Sequence, residues 1–194
     1  MKELYTSLEI DDKIDNNQNL IAFTDKVYDA TEIKIRDIRK DDYICKTTKY
    51  AYEKSNKDIN DDIMKIIKSI YEDDKIMNYY LDIQSKALFG NIDEICAIQT
   101  GRGGNGKGLL TKLEMKALGD YIKITENTFL TSEFKQGSAN STLADTRGIR
   151  KLLISEPSEI NDQGKEASLN VAFLKLITGG DVITTRALLD RKST

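Results

Sequence analysis

The sequence has no histidine, only two cysteines and a single proline among its 194 residues. The absence of histidine excludes Ser-His-Asp catalysis, and two distant cysteines, Cys45 and Cys96, exclude most kinds of zinc site. No apolar run approaches the roughly 18 residues of a membrane-spanning helix, and no basic-then-apolar leader stands at the N-terminus. We therefore expect an intracellular protein with neither a membrane span nor a signal peptide.

The chain also lacks a strong charge of either sign. Its formal net charge is −3, so no overall positive field indicates nucleic-acid binding, although a local basic patch stays possible. With 39% hydrophobic and 31% charged residues, it has the composition of an ordinary globular protein that buries a core.

A glycine-rich segment follows an apolar run at residues 95–99, for which the sequence predicts a β-strand. Gly101, four further residues, Gly106 and Lys107 have the spacing of a P-loop, whose backbone N–H groups surround nucleotide phosphates. A helix is expected to begin near Lys107 and to end at Gly119, and its N-terminus favours an anion. The candidate nucleotide-binding residues are Gly101, Arg102, Gly103, Gly104, Asn105, Gly106, Lys107, Gly108 and Leu109.

A second apolar run, at residues 150–156, ends in an acidic side chain and predicts a strand beside the first one in a parallel sheet. In P-loop NTPases such a strand ends in acids that hold Mg²⁺ and polarise the attacking water, so Glu156 is a candidate catalytic residue with Lys107. An acid in this position can also be a solvated turn residue. Glu159 is as easily explained as a surface residue.

The apolar pattern divides the chain into three expected regions. Short strands at 20–23, 27–29, 33–38 and 43–45 predict a small β-rich module over residues 1–58. Isoleucines and tyrosines at helical spacing predict a helical linker region over 59–90, with two helices broken near 72–74. Residues 91–194 carry the P-loop, a last helix around Leu169 to Leu176 that ends at Gly179, and a β-branched stretch at 182–185.

Three segments of the sequence resemble the superfamily 3 helicase core of the poxvirus D5 and phage P4-type primase-helicases. They are the P-loop, the Leu-Ile-Ser-Glu-Pro segment that ends at Pro157, and the more specific segment from Lys175 to Arg186. Residues 19–23, 41–44 and 87–91 also resemble the region that precedes this core. The likeness covers nearly the whole chain from about residue 19.

The resemblance implies an AAA+-like P-loop NTPase fold, an α/β architecture with a parallel sheet and helices on both faces, preceded by the β-rich and helical N-terminal region. It implies an ATP- and Mg²⁺-dependent DNA helicase, forming a homohexameric ring around single-stranded DNA at a viral replication site in the host cytoplasm. Lys107 would bind phosphate and Glu156 would activate water. Thr184 and Arg186 are the candidate DNA contacts, although Arg186 can equally be a solvated arginine.

The sequence departs from the family pattern at the metal site and at its C-terminal end. Gly108 stands where a hydroxyl residue usually contacts Mg²⁺, and Ser155 stands where many members have a second acid, so Glu156 and Ser155 are left as candidate ligands. Residues 91–194 are therefore expected to form a helicase core that is incomplete at its C-terminus. Without an arginine finger, these 194 residues alone are expected to bind nucleotide weakly and to hydrolyse it poorly.

Two other functions are compatible with a P-loop. A small-molecule or nucleoside kinase is disfavoured because about a hundred residues precede Gly101, whereas in such kinases the loop follows the first strand. A truncated, non-catalytic remnant that binds nucleotide or DNA is favoured by Gly108 and by the missing C-terminal motifs.

Overall fold

The computed structural model describes residues 13–89, 94–126, 128–132, 141–154, 168–179 and 183. It combines helices with two small sheets, so the expected mixed α/β class is confirmed. The chain divides into two compact units: one holds residues up to 91 together with 98–122, and the other holds 92–97 together with 123–194. No helix in the described part of the chain is long and apolar enough to cross a membrane.

The first unit begins with a three-stranded antiparallel sheet. Strands β1 (Leu20–Ala22), β2 (Lys26–Asp29) and β3 (Lys34–Asp37) follow one another in the sheet in chain order, with Ile21 opposite Tyr28. Buried apolar side chains on β1 and β2 form its core. These strands confirm the β-rich character predicted for the beginning of the chain, although Ile33 lies in the β2–β3 turn with 78% of its surface exposed.

The strand predicted at 43–45 is wrong. Tyr43 has a left-handed backbone (φ 48°) directly after a 3-10 turn at Lys40–Asp42, which interrupts an extended run. The carboxylate of Asp15 then accepts hydrogen bonds from the backbone N–H groups of Cys45 and Lys46, at 2.8 and 3.1 Å. A side chain from elsewhere in the unit thus takes the place of a strand partner.

Two helices follow the sheet, as the isoleucine and tyrosine spacing predicted. Helix α1 is Lys57–Ile70 and helix α2 is Asp74–Leu88. Asp73 caps α2, because its side chain accepts a hydrogen bond from the N–H of Lys75 at 2.7 Å. Ile67 of α1 and Tyr80 of α2 share a buried cluster with Leu110, from the helix that follows the glycine-rich loop.

That helix, α3 (Lys107–Leu118), completes the first unit. It begins at Lys107 and is capped by Gly119, as predicted. Leu110 and Leu118 are buried, whereas Leu109 and Met115, expected on the same apolar side, are 48% and 42% exposed. A short 3-10 turn, Gly119–Tyr121, then contacts the β-sheet region.

The second unit contains strands β4 (Ile122–Thr125) and β5 (Lys151–Ile154), which form a parallel pair, with helices α4 (Ser141–Ala144) and α5 (Val171–Thr178). Strand β5 confirms the strand predicted around 150–156, and α5 with its cap at Gly179 confirms the predicted last helix. The residues of β5 are half-buried and not fully buried. Of the β-branched stretch at 182–185, only Ile183 is described, and it packs against the core of this unit.

Candidate functional site

The glycine-rich loop has the backbone form that its sequence predicted. Gly106 has φ 88°, a left-handed conformation that a side chain disfavours, and it stands at the N-cap position of α3. Residues 101–105 are exposed to solvent, and Gly106 and Lys107 are half-buried. The loop therefore presents its outer face to solvent at the positive end of a helix dipole, where an anion is favoured.

Lys107 turns back over this loop. Its ammonium nitrogen, Nζ, donates hydrogen bonds to the carbonyl oxygens of Gly101 and Arg102, at 3.1 and 3.4 Å, and to Oδ1 of Asn105, at 2.9 Å. All three acceptors belong to the loop itself. The structure thus brings the lysine and the glycine-rich turn together, with the ammonium bonded to two carbonyl groups and one side chain of the loop.

The segment before the loop differs from its prediction. Residues 94–100 show no strand pairing in the described part of the chain, and Ile95 and Ile98 are 49% and 73% exposed. A strand is stabilised by hydrogen bonds to a neighbouring strand. The described neighbour of strand β5 is β4, a strand that was not predicted from the sequence. The strand predicted at 95–99 is therefore wrong for this structure.

The metal side of the site is only partly described. Gly108 is exposed at the beginning of α3 and, as glycine, has no side-chain oxygen to offer a metal. No group of three or more acidic or cysteine side chains suited to a metal ion occurs among the described residues. Ser155, Glu156 and Glu159 lie outside those residues, as do Thr184 and Arg186.

Sequence reasoning did not find the side chains that lie behind the loop. Ile70, the last residue of α1, lies against Gly106: a Cβ placed on this glycine would stand 2.6 Å from Cγ1 of Ile70. Helical spacing identified Ile70 as one of the apolar residues of its helix, but nothing local indicates what that residue touches. Its contact joins positions 36 residues apart in the sequence.

A tyrosine of α2 contacts the middle of α3 from the same side. The hydroxyl of Tyr80 donates to Oε1 of Glu114 at 2.7 Å. Burial, and then the nearby carboxylate of Glu114, raise the pKa of Tyr80 well above its ordinary value, so the phenol stays protonated as a donor. Tyr71 stacks near Tyr80, with ring centroids 4.9 Å apart. The first turns of α3 thus rest on both helices of the preceding pair.

Comparison with known proteins adds a family and several relatives. Residues 6–73 match the family described as "D5 N terminal like". The chain is 35% identical over 181 residues to "Putative helicase L207/L206" of Acanthamoeba polyphaga mimivirus, which covers 90% of the chain and 18% of that protein. It is 29% identical over 192 residues to "Putative helicase 121R" of Invertebrate iridescent virus 3, covering 95% of the chain and 20% of that protein.

A third similar protein is "Putative helicase 184R" of Invertebrate iridescent virus 6, which is 29% identical over 179 residues. This match covers 88% of the chain and 18% of that protein. The chain therefore spans about a fifth of the length of the curated relatives it matches. The matches extend over the N-terminal region and the glycine-rich loop together, because each covers nearly the whole chain.

Proposed function

Because the chain belongs to the D5-like primase-helicase family, we propose that it is part of an ATP-dependent DNA helicase that unwinds DNA for viral or mobile-element DNA replication. The observation that carries this proposal is the exposed loop at 101–106, with Lys107 over it at the beginning of α3. Backbone N–H groups, a helix N-terminus and one ammonium together suit the β- and γ-phosphates of ATP.

The roles of the loop residues follow from their positions. The backbone of 101–106 would surround the phosphates, and Lys107 would exchange its bonds to Asn105 and to the loop carbonyls for bonds to phosphate oxygens. Gly108 and Leu109, both exposed in the first turn of α3, would lie next to the bound nucleotide. These contacts hold and orient the phosphates, which is the main task of a protein in phosphoryl transfer.

For Mg²⁺, the donor set is incomplete within the loop, since Gly108 has no hydroxyl. We propose that Glu156, with Ser155, holds the metal through carboxylate, hydroxyl and water oxygens, and that Glu156 also orients the attacking water. When bound, Mg²⁺ supplies charge neutralisation at the phosphates. Single-stranded DNA is the proposed partner of Thr184 and Arg186, and a homohexameric ring is the proposed assembly of the longer protein.

Replacing the loop lysine tests the nucleotide site directly. Lys107→Ala removes the ammonium that is bonded to the loop, and we expect calorimetric titration with ATP or ADP to show that binding is lost. Lys112→Ala is the matched control, because Lys112 is an exposed lysine on the same helix and lies away from the loop. Equal affinity in the Lys107→Ala protein and the unaltered chain would refute the P-loop assignment.

A further inference from the structure

The D5 N-terminal-like region contacts α3 at both of its ends. At the beginning of α3, Ile70 lies against Gly106. At the end of α3, Gly119 lies so close to the carbonyl oxygen of Thr48 that a Cβ on this glycine would collide with it. Both Ile70 and Thr48 fall within residues 6–73, the segment that matches the family. The helix that carries Lys107 is therefore held by a region that lies outside the proposed phosphate-binding loop.

The contact at the end of α3 is polar and specific. The Tyr121 hydroxyl accepts a hydrogen bond from the N–H of Ala22 at 2.9 Å and donates one to the carbonyl of Lys46 at 2.9 Å. The carboxylate of Asp120 accepts from the N–H of Thr47 at 3.3 Å and pairs with Lys49 at 2.8 Å. These bonds fix the C-terminal end of α3 to the β-sheet region. We therefore expect any movement of α3 at its N-terminal end, where the loop joins it.

The contact at Gly106 is apolar, and the three atoms nearest to where its Cβ would stand all belong to Ile70. Gly106 has φ 88°, and two carbons of Ile70, Cγ1 and Cδ1, lie 2.6 and 2.8 Å from where its Cβ would stand. Ile70 also belongs to the cluster around Leu110, the buried residue one turn into α3. A close-packed side chain against the backbone removes the space into which the turn at Gly106 could relax.

From these contacts we propose that Ile70 is a positioning residue for the phosphate-binding loop, and that the D5 N-terminal-like region serves as the support on which the nucleotide site is built. The proposal deepens the proposed nucleotide-binding function and rests on it. Ile70 touches no phosphate; it keeps Gly106 in its left-handed turn, so that the loop is already in its binding form.

The first test is nucleotide affinity after truncation of the side chain. Ile70→Ala removes both contacting carbons, and if the loop then keeps its binding form for about a tenth of the time, the affinity for ADP falls about tenfold. Ile70→Val keeps one branch against Gly106 and is expected to restore most of this affinity. Ile66→Ala is the matched control: it is the same change on the same helix, one turn earlier, at a side chain that is 37% exposed.

Hydrogen exchange without nucleotide separates this inference from the proposed function. In the 194-residue chain, Ile70→Ala is expected to speed amide exchange in the peptide spanning 101–108, whereas Ile66→Ala and Ile70→Val leave it near the unaltered rate. Faster exchange of the loop in a protein that binds no ADP would support the positioning role and refute the nucleotide site.

The inference is overturned if loop exchange is the same in the Ile70→Ala protein and in the unaltered chain, or if all three variants bind ADP equally. If Ile70→Ala does not fold, the comparison rests on Ile70→Gln, which retains bulk at this position but not the branched apolar shape. In that case, loop exchange in the Ile70→Gln protein at the rate of the unaltered chain refutes the positioning role.

Discussion

Arg36 is held between two carboxylates in the first unit. Its Nε donates to Asp29 at 2.9 Å, and its two terminal nitrogens donate to the two oxygens of Asp42 at 2.8 Å. All three side chains are less than 10% exposed. The pair with Asp42 is bidentate, a geometry that matches the planar guanidinium and ties β3 to the 3-10 turn after it.

The surroundings shift the pKa of both acids downward. Hydrogen bonds from Arg36 lower the pKa of Asp42, against the effect of burial. For Asp29, burial acts to raise the pKa, but bonds from Arg36 and from the N–H groups of Glu32 and Thr31 outweigh it. An acid whose pKa is lower in the folded state stabilises that state above its unfolded pKa of about 4 and stops doing so as the pH falls through the folded value.

We therefore expect Asp42→Asn to lower the free energy of unfolding by about 2 kcal/mol at pH 7, because it leaves Arg36 with one buried carboxylate in place of two. The difference from the unaltered chain should shrink as the pH falls below about 4, where Asp42 itself becomes protonated. Urea unfolding followed at pH 7, 5 and 3 measures both effects. Asp41→Asn, at the exposed neighbouring position, is the control, and a constant difference at all three pH values would contradict the expectation.

At the scale of elements, segments that are far apart in the sequence pack against one another. Helix α3 comes after the β-sheet and the helix pair, yet it packs on both of them, through Tyr121 on β1 and through Leu110 on α1 and α2. A second apolar cluster joins Ile21 of β1 to Leu118 and Tyr121 at the end of α3. The loop helix therefore takes part in one apolar cluster with the helix pair and in another with the sheet, so its stability depends on strands that lie some 80 residues or more before it.

The hydroxyl of Tyr121 gives a measurable case. Tyr121→Phe keeps the buried ring but leaves the N–H of Ala22 without its acceptor and the carbonyl of Lys46 without this donor. A loss of about 1–3 kcal/mol in the free energy of unfolding is expected, since a buried polar group left unpaired costs that much. Chemical denaturation checks it, with Tyr79→Phe as the matched control at a tyrosine that is 61% exposed. Equal losses in the two variants would show that the bond to Ala22 contributes nothing specific.

The sequence predicted the elements that depend on local signals. The isoleucine and tyrosine spacing predicted helices α1 and α2 and the break near 72–74, and Lys107 and Gly119 predicted the bounds of α3, because periodicity and end signals act within a few residues. Prediction from the sequence failed where an element depends on a hydrogen-bonding partner far away in the chain. The run at 95–99 has the composition of a strand but no described strand beside it, and residues 43–45 have their N–H groups bonded to Asp15. Strand β4 was not predicted, although it has the same four-residue length as β5, which was.

The candidate site was also predictable from the sequence only in part. The spacing of the glycines and the lysine identified the loop, and the structure places Lys107 over it. The support behind the loop could not be predicted, because Ile70 reaches Gly106 through packing that no local pattern encodes. Glu156, Ser155, Thr184 and Arg186 lie outside the described residues, and the roles given to them stay predictions. So does the division into regions 1–58, 59–90 and 91–194.

At the scale of the whole molecule, each unit has a core of its own. Among the described residues, that of the second unit contains Phe129, Leu130, Leu143 and Phe173, with half-buried side chains from β5 and α5 around them. The rings of Phe129 and Phe173 meet edge to face, with centroids 5.2 Å apart. Two separate cores imply that a substitution in one of them acts first on its own unit.

Phe173→Ala tests this separation. Phe173 is only 3% exposed, and its removal is expected to cost about 3–5 kcal/mol in the stability of the second unit. Hydrogen exchange should then accelerate more at 128–132 and 171–178 than in β1, β2 and α1. Leu110→Ala, in the core of the first unit, should show the opposite distribution. The same change across all peptides in both variants would indicate a single cooperative unit instead.

The position of Lys107 has a consequence for the kinetics of the site. Its ammonium is held by three acceptors within its own loop, so a nucleotide bound as proposed would enter by exchanging partners with a side chain that is already in place. Rotation of an exposed side chain takes picoseconds to nanoseconds, far less than the time between encounters with a nucleotide. Association at the proposed site would then be governed by diffusion, and differences in affinity among nucleotides would arise in how long each stays bound.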